Sequence, residues 1–554
     1  MQKGIYSIVL LAFTFILFHD AIVCQAQKKN LPVHFIGECN IPEIPASCQT
    51  LEELIPLLGK LKQQYQNNGY PDFSVDTLFA DSAIHISVHL GERFLMLPLT
   101  ISPPDYEYLL PRAKNLVLFQ QSIIDDTEHR IIKQLNNLGY VLASLEKKTT
   151  LEENTIAIHY LVTPHEKFYF DTLSMVQPTF IHPYYVMRKT AILPNQPYQP
   201  NKTSQIKQAI DQTGFMAFDS SFIVLNGTKA RVHLFLHPLK NSQFTGIIGM
   251  STNEAHKLEL TGDVGLLLVN LLNHGEQLSF KWNSPAASSQ NLDVNVQLPY
   301  IFKSPAGAMA KATFEKLDSS YSNTTLEAGI LIEFFQKGVF TIKYQWNNSS
   351  VGSSYLDTYT PYESNLYGFE YKFSKFNYPV FPTQGVGFGL SALIGNQTKE
   401  KATTNGYQSL FSEIQLKSEL IYPLTFGSVQ VKNRSSYLFN DSLPANKFYR
   451  LGGFNSFEGF QEQSIACKGF TYFTGAYRIP LNETSLVQLF YQVGWFNESG
   501  KPSITIQMRQ SMGVGLNLDT PAGRLSLSFA LGKEPGKTIR FDQGKLHIGY
   551  ANRF

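Results

Sequence analysis

The N-terminal half of the chain changes between a helical and a strand-like hydrophobic pattern. Thr50 and Glu53 form a capping box, and the apolar residues that follow recur at helical spacing, at Leu51, Leu54, Ile55, Leu58, Leu61 and Tyr65. After the Gly69-Tyr70 turn, apolar and polar residues alternate, with the apolar ones at Ile84, Ile86, Val88 and Leu90. Alternation with a period of two is typical of a strand with one buried face. The pattern predicts a helix, a turn and a pair of strands.

This unit is repeated twice. LKQQYQNNGY at 61–70 is followed by IIKQLNNLGY at 131–140 and IKQAIDQTGF at 206–215. The glycines at 69, 139 and 214 are 70 and 75 residues apart, and each copy leads into alternating residues. Recurrence at a fixed length is the signature of an array of similar units. We predict three α+β modules of the type β-α-α-β-β, at 31–99, 100–167 and 168–240.

The C-terminal half, residues 242–554, has no helical pattern. Strand-like runs are legible at 244–250, 258–268, 278–282 and 388–393, with charged residues concentrated between the runs. At roughly 20 residues per strand and connection, this length suits about sixteen transmembrane strands. We predict a closed antiparallel β-barrel at 242–554, with 313–325 among its long outward loops and 272–277 as a short turn.

Composition supports strands that face lipid. Aromatic residues are 13% of the chain and charged residues only 16%, as expected for half-buried strands. The net charge of +2 argues against a nucleic-acid partner.

Lys3, the apolar run 5–18 and Cys24-Gln25-Ala26 predict a signal peptide at 1–26, although the residues before Cys24 also faintly resemble a lipoprotein box. No later run approaches the roughly 18 apolar residues of a membrane helix, so a membrane would be crossed by the barrel.

The chain shows no pattern for bond-making chemistry. Cys39 and Cys48 are close enough in sequence to form a disulfide in an exported segment, and Cys467 has no obvious partner. There is no CxxC pair, no metal-ligand spacing and no GxSxG elbow. Gly385 to Gly389 resembles a glycine-rich loop, but strand alternation continues through it. We therefore predict no enzyme, no cofactor and no metal site.

Three C-terminal motifs, taken in order, resemble one known family. LPANKFYRLGGFNSFEGFQ at 443–461 resembles the loop-six signature of the POTRA-barrel outer-membrane superfamily, which includes BamA, TamA and proteins of the bacterial surface antigen type. The positions that carry the signature are Gly452, Gly453, Phe457, Glu458, Gly459 and Phe460. The stretches 377–385 and 513–523 resemble a strand opening and a hairpin of the same family. The terminal strand, with Tyr550 and Phe554, resembles its C-terminal assembly signal.

The resemblance implies a fold, a cellular location and a function. The fold is an array of periplasmic POTRA modules followed by a sixteen-stranded antiparallel transmembrane barrel, in the outer membrane of a Gram-negative envelope. The function is insertion or translocation of proteins by β-augmentation at a sheet edge and lateral opening between the first and last strands. Implied partners are unfolded outer-membrane or secreted polypeptides, periplasmic chaperones or accessory lipoproteins, and outer-membrane lipid. A dedicated secretion pore for one exported protein is the alternative, and a porin-like channel is disfavoured by the modules.

One position departs from the family pattern. Loop six of the family carries an arginine where this chain has Glu458, and its acidic partners match Ala476 and Gln492 here. Because an unpaired buried charge costs several kcal/mol, joint replacement of all three is expected. We hypothesise that Glu458 accepts a hydrogen bond from Gln492, or meets Arg450 or Arg478. The alternative is that the loop is undocked.

Overall fold

The computed structural model of the protein describes most of the chain from Leu31 to Arg553. The described residues are 31–37, 47–48, 51–80, 83–112, 115–176, 180–252, 258–286, 289–334, 338–378, 381–401, 404–440, 442–454, 456–482, 484–499, 504–520 and 523–553. The predicted signal peptide, Cys39 of the predicted disulfide and Phe554 lie outside them. Two compact units divide the fold, one ending at Phe168 with the addition of Pro197–Gln199, and the other containing Tyr169–Gln196 and everything from Pro200 onward.

The first α+β module packs one helix on a small sheet. Its elements are β1 (Leu31–Gly37), β2 (Ser47–Cys48), α1 (Leu51–Asn67), β3 (Ser74–Ala80) and β4 (Ala83–His89). The strand order is β2-β1-β4-β3, with β1 parallel to β4. Leu54 and Leu61 of the helix are buried against Ile84 and Ile86, the residues at which the sequence alternation predicts a buried face. The helix continues through Pro56 to Asn67.

The second module repeats this plan. Its elements are β5 (Leu95–Met96), β6 (Thr100–Ser102), β7 (Val117–Leu118), α2 (Gln121–Asn137), β8 (Ser144–Glu152) and β9 (Thr155–Thr163). Ile131 and Leu135 of α2 are fully buried against Tyr160 of β9. Burial and the nearby Glu128 carboxylate raise the pKa of the Tyr160 phenol, so it remains a neutral donor. Strand β8 pairs only with β9 within this sheet and carries Glu146, Lys147 and Lys148 along its exposed edge.

The third module belongs to the second compact unit. Its elements are β10 (Tyr169–Met175), α3 (Pro183–Thr190), α4 (Pro200–Ser204), α5 (Ile206–Asp211), β11 (Met216–Asn226) and β12 (Lys229–Pro238). The strand order is β10-β12-β11, so β11 is an edge strand. Along β12 the buried residues alternate, as predicted, at Val232, Leu234 and Leu236. The edge strand β11 lacks this burial: its apolar residues Phe222 and Val224 are 48% and 44% exposed.

The repeated glycine has one backbone role in all three modules. Gly69, Gly139 and Gly214 have φ angles of +100°, +98° and +74°, a region that L-residues rarely adopt. Each ends a helix and turns the chain toward the following strand. At Gly139 an added Cβ would lie 2.8 Å from the Phe168 carbonyl oxygen. The sequence repeat therefore reflects a conformational requirement as well as a hydrophobic one.

The C-terminal half forms a closed antiparallel barrel of sixteen strands, with one additional short strand. The sixteen are β13 (Gln243–Thr252), β14 (Leu258–Val269), β15 (Gln277–Ala286), β16 (Ser289–Leu298), β17 (Ala306–Leu317), β18 (Tyr321–Phe334), β19 (Gly338–Val351), β20 (Tyr362–Phe376), β21 (Gly385–Lys401), β22 (Thr404–Leu424), β23 (Gly427–Phe439), β25 (Ile465–Asn482), β26 (Ser485–Ser499), β27 (Ile504–Thr520), β28 (Gly523–Lys533) and β29 (Lys545–Arg553). The additional strand is β24 (Tyr449–Leu451), which pairs with β25.

Side chains alternate across the barrel wall. On β19 the buried polar residues Gln345, Asn347 and Ser349 face inward, whereas Ile342 and Tyr344 are exposed on the outside. This alternation is expected for strands with lipid on one face and a polar lumen on the other. The predicted loop at 313–325 is wrong, since those residues form the β17–β18 hairpin with a turn at 318–320. Polar Thr and Ser residues alternate along these two strands, and their polarity resembles that of a loop.

Barrel closure is asymmetric. Strands β13 and β14 are joined by ten residue pairs, and β28 and β29 by seven. Among the residues that the structure describes, the first and last strands, β13 and β29, are joined by three pairs, Gln243 with Arg553, Phe244 with Asn552 and Thr245 with Ala551. We call this junction the seam.

The third module packs against one end of the barrel, which we call the proximal end. The Asn273 carbonyl accepts from the His182 peptide nitrogen at 2.7 Å, and Asn270 Nδ2 donates to the Phe180 carbonyl at 2.8 Å. Lys189 of α3 forms an ion pair with Glu333 of β18. The opposite end of the barrel is the distal end. None of the helices in the described ranges is long and apolar enough to cross a membrane.

We predict that Gly139→Ala destabilises the N-terminal half of the chain. The left-handed φ costs an L-residue about 1–2 kcal/mol, and overlap with the Phe168 carbonyl adds to that cost. Gly59→Ala is the matched control, because nothing lies within 4 Å of its added Cβ in the α1 helix. Limited proteolysis of the full chain should show faster cleavage of the second module in Gly139→Ala alone. Equal protection of the two variants would contradict the conformational role.

Candidate functional site

The central feature of the barrel interior is the segment at 442–464, which we call loop six. It connects β23 to β25 at the distal end. Its strand β24 pairs with Ile465 to Cys467, so the loop turns back along the wall. The side chains of Leu451, Phe457 and Phe460 are buried among residues of β25 and β26. The loop is therefore docked inside the barrel.

Aromatic packing holds the second half of the loop. Phe457 is fully buried, with its ring centroid 5.1 Å from that of Phe496 and 5.4 Å from those of Phe460 and Tyr472. The Phe496 and Tyr472 contacts are edge-on, a geometry that adds about 0.5–1.5 kcal/mol to the gain from burial. These rings explain the apolar residues of the loop-six signature.

The glycines of the signature permit a close backbone approach. Gly452, Gly453 and Gly459 all have positive φ angles, of +112°, +93° and +83°. At Gly459 an added Cβ would lie 2.7 Å from the peptide nitrogen of Gly532 on β28. Real Cβ atoms do not approach a backbone atom so closely, so only a glycine pair fits this crossing. The loop therefore spans the lumen from β25 to β28.

Glu458 is held by neutral groups. Its peptide N–H donates to Gln492 Oε1 at 2.8 Å, and its carboxylate accepts a hydrogen bond from the Ser528 hydroxyl. Gln492 Nε2 donates to Thr474 Oγ1 at 3.1 Å, so the amide group is used twice. The structure thus brings Glu458 and Gln492 together, but through the loop backbone. The hypothesised bond from the Gln492 amide to the carboxylate is not formed: Gln492 Nε2 donates to Thr474, and the Glu458 carboxylate accepts from Ser528 instead.

Arg450 and Arg478 contact other parts of the lumen. Arg450 Nε donates to the Tyr321 hydroxyl at 3.0 Å, and Arg478 Nη1 donates to the Pro382 carbonyl at 2.7 Å. Neither forms the hypothesised ion pair with Glu458. Arg478 instead fastens the proximal turn at 377–384, and the guanidinium of Arg524 lies 4.7 Å from the Phe381 ring of the same turn. The 377–384 turn is thus held by side chains of β25 and β28.

The first half of loop six has anchors that sequence reasoning missed. Asn446 Nδ2 donates to Ser349 Oγ at 2.6 Å and to the Thr360 carbonyl at 3.1 Å. Lys447 Nζ donates to Asn347 Oδ1 at 3.2 Å and lies 5.8 Å and 5.5 Å from the rings of Tyr362 and Phe411. These contacts fasten the first half of the loop to strands β19, β20 and β22. No periodicity or motif spacing marks Asn446 and Lys447 as anchors. Their position in LPANK, at the start of the loop-six signature, was the one signal in the sequence.

The remaining predicted site residues have simpler surroundings. Tyr550 lies on β29, with 39% of its surface exposed. Cys467 is buried and has a free thiol. In the described part of the chain, no three or more His, Cys, Asp or Glu residues are grouped so as to hold a metal ion. The loop-six site consists of packed aromatic rings, hydrogen bonds and charged side chains.

A sixteen-stranded barrel whose distal loop folds into its lumen, preceded by α+β modules, defines a class of outer-membrane proteins. The Omp85 superfamily domain matches residues 270–554, more than half of the chain. The chain belongs to the Omp85 superfamily, which implies the bacterial outer membrane. None of the curated proteins matches this chain in sequence.

Solved structures share the fold. A structure of CdiB from Escherichia coli is 12% identical with a TM-score of 0.55, covering 91% of this chain and 97% of that chain. CdiB from Acinetobacter baumannii is 11% identical with a TM-score of 0.52, covering 90% and 96%. BamA from Haemophilus ducreyi lacking POTRA domains 1–3 is 14% identical with a TM-score of 0.44, covering 83% and 99%. At these identities the two CdiB structures indicate a common fold alone.

We predict that Gln492→Leu loosens loop six. The variant leaves the buried Glu458 N–H without its acceptor, which costs about 1–3 kcal/mol and speeds cleavage of the loop at least about fivefold. The measurement is limited proteolysis of the purified protein in detergent. Gln488→Leu, a matched change on the same face of β26, should leave the loop protected. Unchanged protection in Gln492→Leu would rule out this anchor.

Proposed function

We propose that the protein is an outer-membrane protein assembly factor, an insertase or translocase that acts on unfolded polypeptides. It binds a client strand at an exposed sheet edge and opens its barrel laterally between β13 and β29. No bond-making step and no cofactor is involved. The observation that carries the proposal is the seam of three residue pairs.

The seam is the weakest junction of the wall. Each backbone hydrogen bond contributes a net of about 0.5–1.5 kcal/mol, and an unpaired group in lipid costs more. Opening at β13–β29 breaks far fewer bonds than opening at β13–β14, where ten residue pairs are joined. The freed edges present unpaired N–H and C=O groups to which a client strand can hydrogen-bond. The bilayer beside the seam then receives the new strand.

The three N-terminal modules act as POTRA domains in the periplasm. They offer edge strands of two kinds. Strand β8 carries charged residues that discourage pairing, whereas β11 is eleven residues long and exposes the uncharged run from Ser220 to Asn226. A long apolar edge is suited to β-augmentation. Clients, periplasmic chaperones or accessory lipoproteins are the expected partners for such an edge.

A dedicated secretion pore for one exported protein is the second candidate. It is favoured by a cavity of about 890 Å³ at the proximal end of the lumen, lined by barrel strands and by α4 and α5 of the third module. A polypeptide in transit needs such an interior space, whereas lateral insertion does not. A passive porin is disfavoured, because loop six and the 377–384 turn both cross the lumen.

We predict that a covalently locked seam abolishes function. Thr245→Cys with Ala551→Cys places two thiols on directly paired positions of β13 and β29. In cells depleted of the native protein, the oxidised variant should fail to restore the outer-membrane proteome, and reduction should rescue it. The matched control is Leu267→Cys with Ser279→Cys, a pair within the β14–β15 hairpin.

The proteome distinguishes the candidate functions. Loss of many barrel proteins in the locked variant identifies a general assembly factor. Loss of one exported protein with barrels intact identifies a dedicated pore. A proteome that the locked variant restores in full would reject lateral opening.

We predict that β11 is the client-binding edge. A photo-crosslinking amino acid at Val224 should capture unfolded polypeptides in cells, because the edge is apolar and exposed. The same probe at Lys148 of β8 should capture far less, since Glu146 and Lys147 flank it. Equal capture at the two positions would show that β11 has no special role.

A further inference from the structure

The cavity at the proximal end of the lumen has an uneven charge. Among the described residues that line it, every carboxylate has a lysine partner in the same lining. The pairs are Glu333 with Lys189, Asp211 with Lys207 at 3.7 Å, and Glu419 with Lys432 at 3.9 Å. The same lining has three further cations, Lys372, Lys417 and Arg434. The cavity therefore carries an excess of positive charge.

These three cations form a row across neighbouring strands. Lys417 of β22 lies directly opposite Arg434 of β23, and Gly389 of β21 lies between Lys417 and Lys372 of β20. Adjacent strands are about 4.8 Å apart, so the row extends over roughly 15 Å. Gly389 contributes no side chain, and an added Cβ there would lie 3.8 Å from Lys417 Cβ and 4.0 Å from Lys372 Cγ. The glycine leaves the space between the two lysines open.

Carboxylates of the protein balance the positive charge of this row only in part. Lys372 has a carboxylate partner in Glu370, at 3.0 Å. No salt bridge or hydrogen bond joins Lys417 to any residue in the described ranges, although it faces the cavity. A barrel interior usually balances such charges, as Lys343 and Glu327 do at 2.9 Å on β19 and β18. Arg434 hydrogen-bonds to the neutral Tyr472 side chain, which leaves its charge in the cavity. The Lys417 ammonium and the Arg434 guanidinium together indicate an anionic ligand from outside the chain.

We propose that the row Lys372, Lys417 and Arg434 binds carboxylates of an acidic, extended polypeptide segment inside the lumen. A polypeptide is favoured over a lipid phosphate by position. Strands β20 to β23 lie on the side of the barrel opposite the seam, remote from the place where the wall opens to lipid. The cavity is also bordered by α4 and α5 of the third module, on the side from which a periplasmic chain arrives.

The spacing suits an extended chain. Side chains on one face of a strand repeat at about 6.7 Å, so acidic residues at alternate positions match a row of roughly 15 Å. Because the cavity is solvated, each contact is weakened by water and salt, and the affinity should fall as ionic strength rises. This inference rests on the proposed function for its ligand, but its test does not require activity.

The test is binding of a fluorescent oligoglutamate of about ten residues, roughly 33 Å when extended, to the full-length protein in phosphatidylethanolamine nanodiscs. Fluorescence anisotropy should show binding that an oligoglutamine of the same length does not reproduce. Lys417→Gln with Arg434→Gln should weaken it about tenfold, as expected for two solvated charge contacts. Lys375→Gln is the matched control, because Lys375 lies on β20 with the opposite orientation.

Each outcome is decisive for the row. Equal affinities of the double variant and Lys375→Gln would overturn the proposal. If the double variant instead lost binding of added lipopolysaccharide while its peptide affinity stayed unchanged, the row would bind a lipid phosphate and the proposal would be wrong. The two proposals can fail separately. If the protein binds the peptide but its locked-seam variant still restores the proteome, the luminal site is supported and lateral opening is rejected.

Discussion

The structure depends on the requirement that strands in lipid find all their backbone hydrogen bonds within the protein. A closed barrel meets this requirement only if its last strand pairs with its first. Here β29 meets β13 over three residue pairs, while every other junction between consecutive wall strands is longer. The constraint that stabilises the wall therefore also determines where it opens most easily. The proposed lateral opening rests on this one short junction.

Loop six shows that a charge pair is not needed to dock a segment in the lumen. The buried Phe457 ring, the Gly459 crossing against Gly532 and the hydrogen bonds of Glu458 hold its second half. Asn446 and Lys447 hold its first half against β19. A hydrogen bond from Ser528 compensates the Glu458 carboxylate without bringing a second charge out of water, which avoids part of the desolvation cost of an ion pair.

The interior of the barrel is divided by these segments. Loop six enters from the distal end, and the 377–384 turn is fastened to Arg478 near the proximal end. The charged cavity beside the third module lies at the proximal end. Lys372, Lys417 and Arg434 line this cavity together with Asn377 and Tyr378 of the 377–384 turn.

The sequence by itself determined the periodic parts of this protein. Helical spacing at 51–65, alternation at Ile84 to Leu90 and the repeated glycine predict the modules, because burial of one face and a positive φ leave local marks in the chain. Chain length and alternation likewise predict the sixteen strands, and the LGGFNSFEGF signature identifies the docked loop.

Only the tertiary structure decided which groups meet in the lumen. Gln492 accepts from the Glu458 backbone, Arg478 fastens Pro382, and Lys417 stands beside Arg434. Arg478 and Pro382 are 96 residues apart in sequence, and Lys417 and Arg434 meet across two paired strands. Strand register, which no local pattern encodes, brings these groups together.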